Sequence, residues 1–227
     1  MRRGLRHGRI LRAAERQALP WKNGGGVTRE VVAHPPGSDL GHFDWRVSIA
    51  EIHSAGPFSR FPGIERRLAV LEGCLSLSID DGAALRVSPD TPPVQFPGDV
   101  PAFADPVGGP VTDLNVMTRR GRFDCRFERR VAPARIRLTP RSGTCLIVAL
   151  SDLSVRCAAQ DADLVKLDVL LIEGDLRCDL SAPPAGASFY LIEIWCSDAR
   201  AGRSSSGRRG AFTNWPGASV VRRPPER

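Results

Sequence analysis

The sequence predicts an all-β chain built as two small β-barrels in tandem, and three observations carry that prediction. From Val27 onward, short runs rich in β-branched and aromatic residues recur between Gly, Pro, Asp and Ser, which is the pattern of strands joined by tight turns. After Pro133 to Gly143 the strand-and-turn order restarts, and Glu173-Gly174-Asp175 echoes Glu72-Gly73 at the matching place. Only Ile10 to Leu19 shows any helical period. Many short strands bury their apolar faces by pairing two sheets or closing one on itself.

In chain order, residues 1–18 read as a basic N-terminal extension or short helix, and 19–132 as the first barrel. Within that half, Val27 to Val32, Phe43 to Ile52, Leu68 to Leu71, Leu75 to Ile79, Thr112 to Thr118 and Arg122 to Phe127 are the strand candidates. Asp80-Asp81-Gly82 has the residue types of a hairpin turn joining Leu75 to Ile79 with Ala84 to Val87. Residues 133–197 form the second half, with Thr144 to Leu150, Ser154 to Cys157, Leu164 to Ile172, Leu176 to Leu180 and Ser188 to Trp195 as strands. From 198 to 227 Arg, Gly, Ser and Pro take over, a composition expected to hold little order.

Composition excludes several classes. No apolar run is long enough for a membrane helix, and the first twenty residues lack the apolar centre of a secretory signal, so the cytoplasm is the expected location. Cys74, Cys125, Cys145, Cys157, Cys178 and Cys196 are spread without a C-x-x-C pair, and they read as reduced, small apolar residues. The net charge of +7 is a property of the ends: residues 1–16 carry six Arg and one Glu, residues 199–227 seven Arg and one Glu, and the body is mildly acidic. Nucleic acid is therefore a disfavoured partner, reachable only through the tails. Phe212, Trp215 and Val220-Val221 are the tail residues that a homodimer would use for docking.

The stretch "SAGPFSRFPGIERRLAVLEG", ending at Gly73, resembles the first motif of the cupin barrels, in which a Gly, a His-x-His pair, a Glu and a closing Gly follow at fixed spacing. Counting back from Gly73, the glutamate position holds Arg66, and the histidine positions fall on Ser59 or Arg60 and then Phe61 or Pro62. Phe96-Pro97-Gly98-Asp99 only echoes the second motif, and His7, His34, His42 and His53 all precede the site. Metal sites need imidazole, thiolate or carboxylate converging at short distance. The expectation is no metal and no cofactor.

"LPWKNGGGVTREV" (19–31), "FDWRVSIAEI" (43–52), "GPFSRFPGIERRLAVLEG" (56–73) and "DLNVMTRR" (113–120) together resemble the HutD/Ves family of metal-free tandem cupins. The resemblance implies a bicupin of two RmlC-like jelly rolls and a link to histidine utilisation. The implied role is binding of a small polar or anionic metabolite for sensing or regulation. An alternative is a metal-free isomerase or hydrolase acting on a small acid.

Alternation in "FDWRVSIAEI" sets Trp45, Val47 and Ile49 on one face and Arg46, Ser48 and Ala50 on the other. Either the apolar face is core with Arg46 in water, or the polar face lines a cavity, as the resemblance implies. Asp113, Asn115 and Met117 alternate in the same way, and Thr28 shares a face with Glu30. Asn23 lies in the Gly24-Gly25-Gly26 turn, read as a place where backbone crosses closely rather than as a phosphate cradle, because no Walker spacing follows. The candidate ligand-binding residues are Asn23, Thr28, Glu30, Arg46, Ser48, Ser59, Phe61, Arg66 and Asn115. No catalytic residue is singled out, although Glu30, Glu51 and Glu65 are candidate proton carriers. Arg66 inside a barrel needs a partner, either an internal carboxylate or an external anion.

Overall fold

A computed structural model describes residues 7–132, 135–138, 143–157, 160–174, 176, 178–183 and 186–197. The tail 198–227 and the first six residues lie outside them, and with them the expectations about basic ends. Strands and turns make up nearly all of the described chain, and one 3-10 turn, Ala13–Glu15, is its single helical element. The chain divides into two compact units, one of residues up to Gln17 with Phe123–Cys196, the other chiefly of Ala18–Arg122.

In the second of these, six antiparallel strands run in the order Ala18–Pro20, Gly26–His34, Trp45–Ile52, Val111–Arg119, Ile64–Glu72, Val94–Pro97. A second sheet orders Gly56–Pro57, Ala102–Pro106, Leu75–Ile79, Leu85–Val87. Ile52, Leu68, Val70, Val111 and Phe96 from the first sheet pack with Leu75, Leu77, Val87, Ala102 and Ala104 from the second, so one core lies between them. The hairpin closes as its turn residues require: Leu75 pairs with Val87, and Asp80 takes the left-handed φ of 54°. Gly24, at φ 69°, makes the Asn23–Gly26 turn.

The other unit orders His7–Leu11, Val169–Glu173, Thr144–Ala149, Ala187–Cys196 and Phe123–Ala132 in one sheet, and Arg135–Leu138, Cys178–Ser181, Leu153–Cys157 and Gln160–Leu164 in the other. Its core joins Cys145, Ile147, Leu170 and Phe189 to Leu153, Val155, Leu164 and Leu180.

Four expectations need correction. Residues 1–18, expected as a basic extension or short helix, hold where described an edge strand, His7–Leu11, paired with Val169–Glu173, and only one short 3-10 turn, Ala13–Glu15. Arg12 and Arg16, which look like solvated charge in the sequence, tie that segment down. Arg12 Nη1 donates to Asp168 Oδ2 at 2.7 Å, the Ala13 amide to Asp168 Oδ1 at 2.7 Å, and Arg16 Nη2 to the carbonyls of Leu11 and Leu167. Second, the boundary expected at 132 falls at 122, because Phe123–Ala132 pairs along its whole length with Ala187–Cys196. Third, Leu164 to Ile172 is not one strand: Leu167 at φ 68° turns the chain between Gln160–Leu164 and Val169–Glu173. Fourth, Cys157 and Cys178 are bonded in a disulfide with Cα atoms 4.4 Å apart. They stand directly opposite each other on neighbouring strands, where an antiparallel pair brings Cα atoms that close. Cys74, Cys125, Cys145 and Cys196 are in no disulfide.

Candidate functional site

The strand register of the Ala18–Arg122 unit assembles a polar patch on an otherwise apolar inner face. Residues directly opposite on paired strands share a face. Glu30 stands opposite Ser48, Ser48 opposite Asn115, Ala50 opposite Asp113, and Arg46 and Arg66 flank Met117 on either side. Arg66 in turn stands opposite Phe96. The alternation of "FDWRVSIAEI" is as expected, yet both faces of that strand are buried, so Arg46 is not in water: it is 6% exposed, and Ser48 is 3% exposed.

Arg46 donates Nε to Glu30 Oε2 at 2.8 Å and Nη1 to Ser48 Oγ at 3.3 Å. Glu30 keeps 40% of its side chain exposed, so this pair marks where the patch reaches solvent. Deeper in, Arg66 is 3% exposed and Asp113 fully buried. Arg66 Nη2 donates to Asn115 Oδ1 at 2.9 Å, and Asn115 Nδ2 donates to Asp113 Oδ1 at 2.6 Å. The Arg66 guanidinium lies 4.6 Å from the Phe58 ring centroid, 5.0 Å from that of Phe96 and 5.9 Å from that of Phe61, a cage in which ring faces offset part of its desolvation.

Two complementary atoms in this chain of bonds lack partners: Arg66 Nε and Asp113 Oδ2 are buried without a hydrogen bond. Burial pushes the Arg66 pKa down to about 10, with the nearby Arg46 charge acting in the same direction and Asp113 opposing both, so Arg66 is a cation at neutral pH. Burial pushes the Asp113 carboxyl up to about 7, against the pull of Arg66, Asn115 and the Ala50 amide. A cation held dry with a donor to spare is the arrangement that grips a carboxylate or phosphate.

Of the residues expected at the site, Glu30, Arg46, Ser48, Arg66 and Asn115 are joined into two hydrogen-bonded groups, and Phe61 lies beside Arg66. Asn23 is occupied elsewhere, its Oδ1 taking the Gly25 amide at 3.0 Å. Thr28 Oγ1 accepts Trp21 Nε1 at 2.7 Å, and Ser59 is solvent-exposed. Glu51 pairs with Arg29, and Glu65 accepts from Gln95. Asp113, Phe58 and Phe96 are the additions. Asp113 was visible in the Asp113-Asn115-Met117 alternation, whereas Phe58 and Phe96 arrive from other strands and loops and left no local signal. Among the described residues no three His, Cys, Asp or Glu side chains are placed to share a metal ion.

Likeness to known proteins points one way. The HutD family model matches residues 13–189. An uncharacterised 21.2 kDa protein in the hutC 3' region of Pseudomonas putida is 32% identical over 186 residues, which is 82% of this chain and 96% of that protein. Protein Ves of Cronobacter sakazakii is 38% identical over 113 residues, 49% of this chain and 60% of its own. Among solved structures, a conserved protein of unknown function from Pseudomonas aeruginosa PAO1 superposes with TM-score 0.76 at 28% identity, covering 83% of this chain and 98% of its own. HutD from Pseudomonas fluorescens SBW25, in a formate condition, gives 0.71 at 28%, covering 84% and 100%. A cupin 2 conserved barrel domain protein from Leptotrichia buccalis, at 8% identity and TM-score 0.54 over 78% of this chain and 92% of its own, shares the fold alone. The motifs from 19 to 120, the cupin-like pairs of sheets and a relative matched over nearly its whole length agree: this chain belongs to the HutD family.

Proposed function

We propose that this chain is a bicupin, two RmlC-like jelly rolls in tandem, that binds a small polar or anionic metabolite at the Arg66 patch in a sensing or regulatory role linked to histidine utilisation. The observation that carries the reading is the dry Arg66 guanidinium with an unused Nε beside the half-open Arg46–Glu30 pair. A structural ion pair would spend those donors on protein carboxylates, whereas Arg66 meets Asp113 only through an amide. The names of relatives, one in a hutC 3' region and one HutD, support the link to histidine utilisation. The cytoplasm is the proposed location; no described helix is long and apolar enough to cross a membrane.

The test is a thermal-shift screen of histidine-pathway intermediates and small acids on the wild type and on Arg66→Gln. A ligand at one hundred times its Kd stabilises a fold by about 2.7 kcal/mol, and that shift is expected in the wild type and absent in the variant. Equal shifts in both proteins would refute the reading. The rival is an enzyme of isomerase or hydrolase type, favoured by Asp113, whose carboxyl exchanges a proton near neutral pH. Turnover of the bound acid, followed by NMR, decides between them.

A further inference from the structure

The Arg66 patch has a charge balance that an incoming anion upsets. Arg46 and Arg66 carry two positive charges, and Glu30 with ionised Asp113 carries two negative ones. A monoanion at Arg66 leaves one excess negative charge in a desolvated site, where it is costly. Glu30 is partly exposed and paired with Arg46, whereas Asp113 is fully buried, so the desolvated excess falls on Asp113.

Asp113 is built to relieve it. Its Oδ1 is taken by Asn115 Nδ2, while its Oδ2 is buried and bonded to nothing, the one place on the carboxyl where a proton fits without displacing a bond. On the face of the sheet that Asp113 shares, the ionisable groups are Arg66 on Ile64–Glu72, Arg46 on Trp45–Ile52 and, one strand further out, Glu30 on Gly26–His34; Glu65, Arg67 and Glu51 alternate to the other face. The facing sheet contributes apolar Leu75, Leu77, Ala102 and Ala104 to the core. Arg66 is thus the main force holding Asp113 ionised, and an anion that occupies Arg66 removes much of it.

We infer that the site takes up its anion together with one proton, which passes from the buffer to Asp113 Oδ2, so that the protein binds the elements of a neutral acid and its affinity is set by pH. The inference rests on the anion-binding reading above. In the free protein Asp113 titrates at about 7; loss of the Arg66 field raises it further, so affinity is level below that pH and falls above it by up to about tenfold per pH unit.

The experiment is titration calorimetry of the full chain with sodium formate in two buffers of different ionisation enthalpy, which counts protons. Formate is itself ionised throughout. At about pH 8 uptake approaches one proton per formate, and at about pH 6, where Asp113 already holds its proton, uptake falls toward zero. The infrared difference spectrum at pH 8 gains a protonated-carboxyl band, absent in Asp113→Asn. Formate binding that Arg66→Gln abolishes, but that takes up no proton and produces no such band, overturns the inference and leaves the anion site standing. If formate, acetate and phosphate bind the wild type no better than Arg66→Gln, the anion site itself falls, and the inference with it. The wild-type proton count decides the matter even if a variant fails to fold.

Discussion

Arg66 and Asp113 are joined through Asn115, whose amide accepts from the cation on its Oδ1 and donates to the carboxylate through its Nδ2. The amide dipole therefore points the way both charges require, and Asn115 serves as the only described hydrogen-bond partner of the buried guanidinium. Asn115→Leu is close in volume but leaves both ends unpaired. It should destabilise the Ala18–Arg122 unit by about 3 kcal/mol or more, read from urea unfolding, whereas a change within 1 kcal/mol would mean that water replaces the amide.

Asp113 also gives stability a pH dependence of unusual sign. Its carboxyl titrates near 3.8 when unfolded and near 7 when folded, so between those values the folded state binds the extra proton. Stability therefore falls as pH rises through this window, by an amount on the order of 4 kcal/mol from this one group. Subtracting the profile of Asp113→Asn from that of the wild type should isolate that downward slope. A flat difference would place Asp113 near its ordinary value.

Asp168 should behave in the opposite way. Burial alone would raise its pKa, but the Ala13 amide, Arg12 and the Val165 amide hold it below the ordinary carboxylate value. Its contribution is present above the unfolded pKa and lost as pH falls through the lower folded one. Removing residues 1–13 strands this buried carboxylate and strips the edge strand, and a loss of about 3 kcal/mol or more is expected for the unit containing Phe123–Cys196.

The Cys157–Cys178 bond closes a loop with a sequence separation of 21. Loop-closure entropy assigns such a link about 3 kcal/mol. A reductant should lower the melting temperature of the wild type and leave that of Cys157→Ser/Cys178→Ser unchanged. Identical melts with and without reductant would show that the link contributes nothing.

The triple-glycine turn can be tested at Gly26. A Cβ there would stand 2.4 Å from the Glu51 carbonyl oxygen and 3.2 Å from the Trp21 ring, so Gly26→Ala should cost about 1–3 kcal/mol through overpacking. Gly25→Ala meets only side-chain atoms, at 3.1 Å or more, and should cost less. Comparable losses at the two positions would mean that general loop stiffness, not backbone approach, is what glycine provides.

The polar patch was legible because alternation is a local property. "FDWRVSIAEI" and "DLNVMTRR" place Arg46, Ser48 and Asn115 on shared faces by counting in twos. The cupin spacing marked Arg66, and the turn at Asp80 followed from its residue types. What escaped depends on contacts between distant segments. Nothing within "RHGRILRAAER" announces that Arg12 will meet Asp168. No spacing rule brings Cys157 opposite Cys178, since their pairing is fixed by the register of two strands. Phe58 looked like one more loop residue until the fold laid its ring against the guanidinium. Asn23 and Thr28 were placed at the site by motif and are spent instead on bracing the turn and Trp21.

The edge strand His7–Leu11 has a consequence for the order in which the molecule is made. It is made well before its partner Val169–Glu173, and the clasp between Ala13 and Asp168 spans 155 positions. Ala18–Arg122 has every strand of both its sheets within itself, so in synthesis it is an inserted module that can close while the start of the chain waits. Its folding shortens the loop that the waiting strand must later close, whose entropic cost grows with length. A chain released before residue 173 would thus carry a finished first module and an orphaned leading strand, open along the edge that full-length synthesis covers.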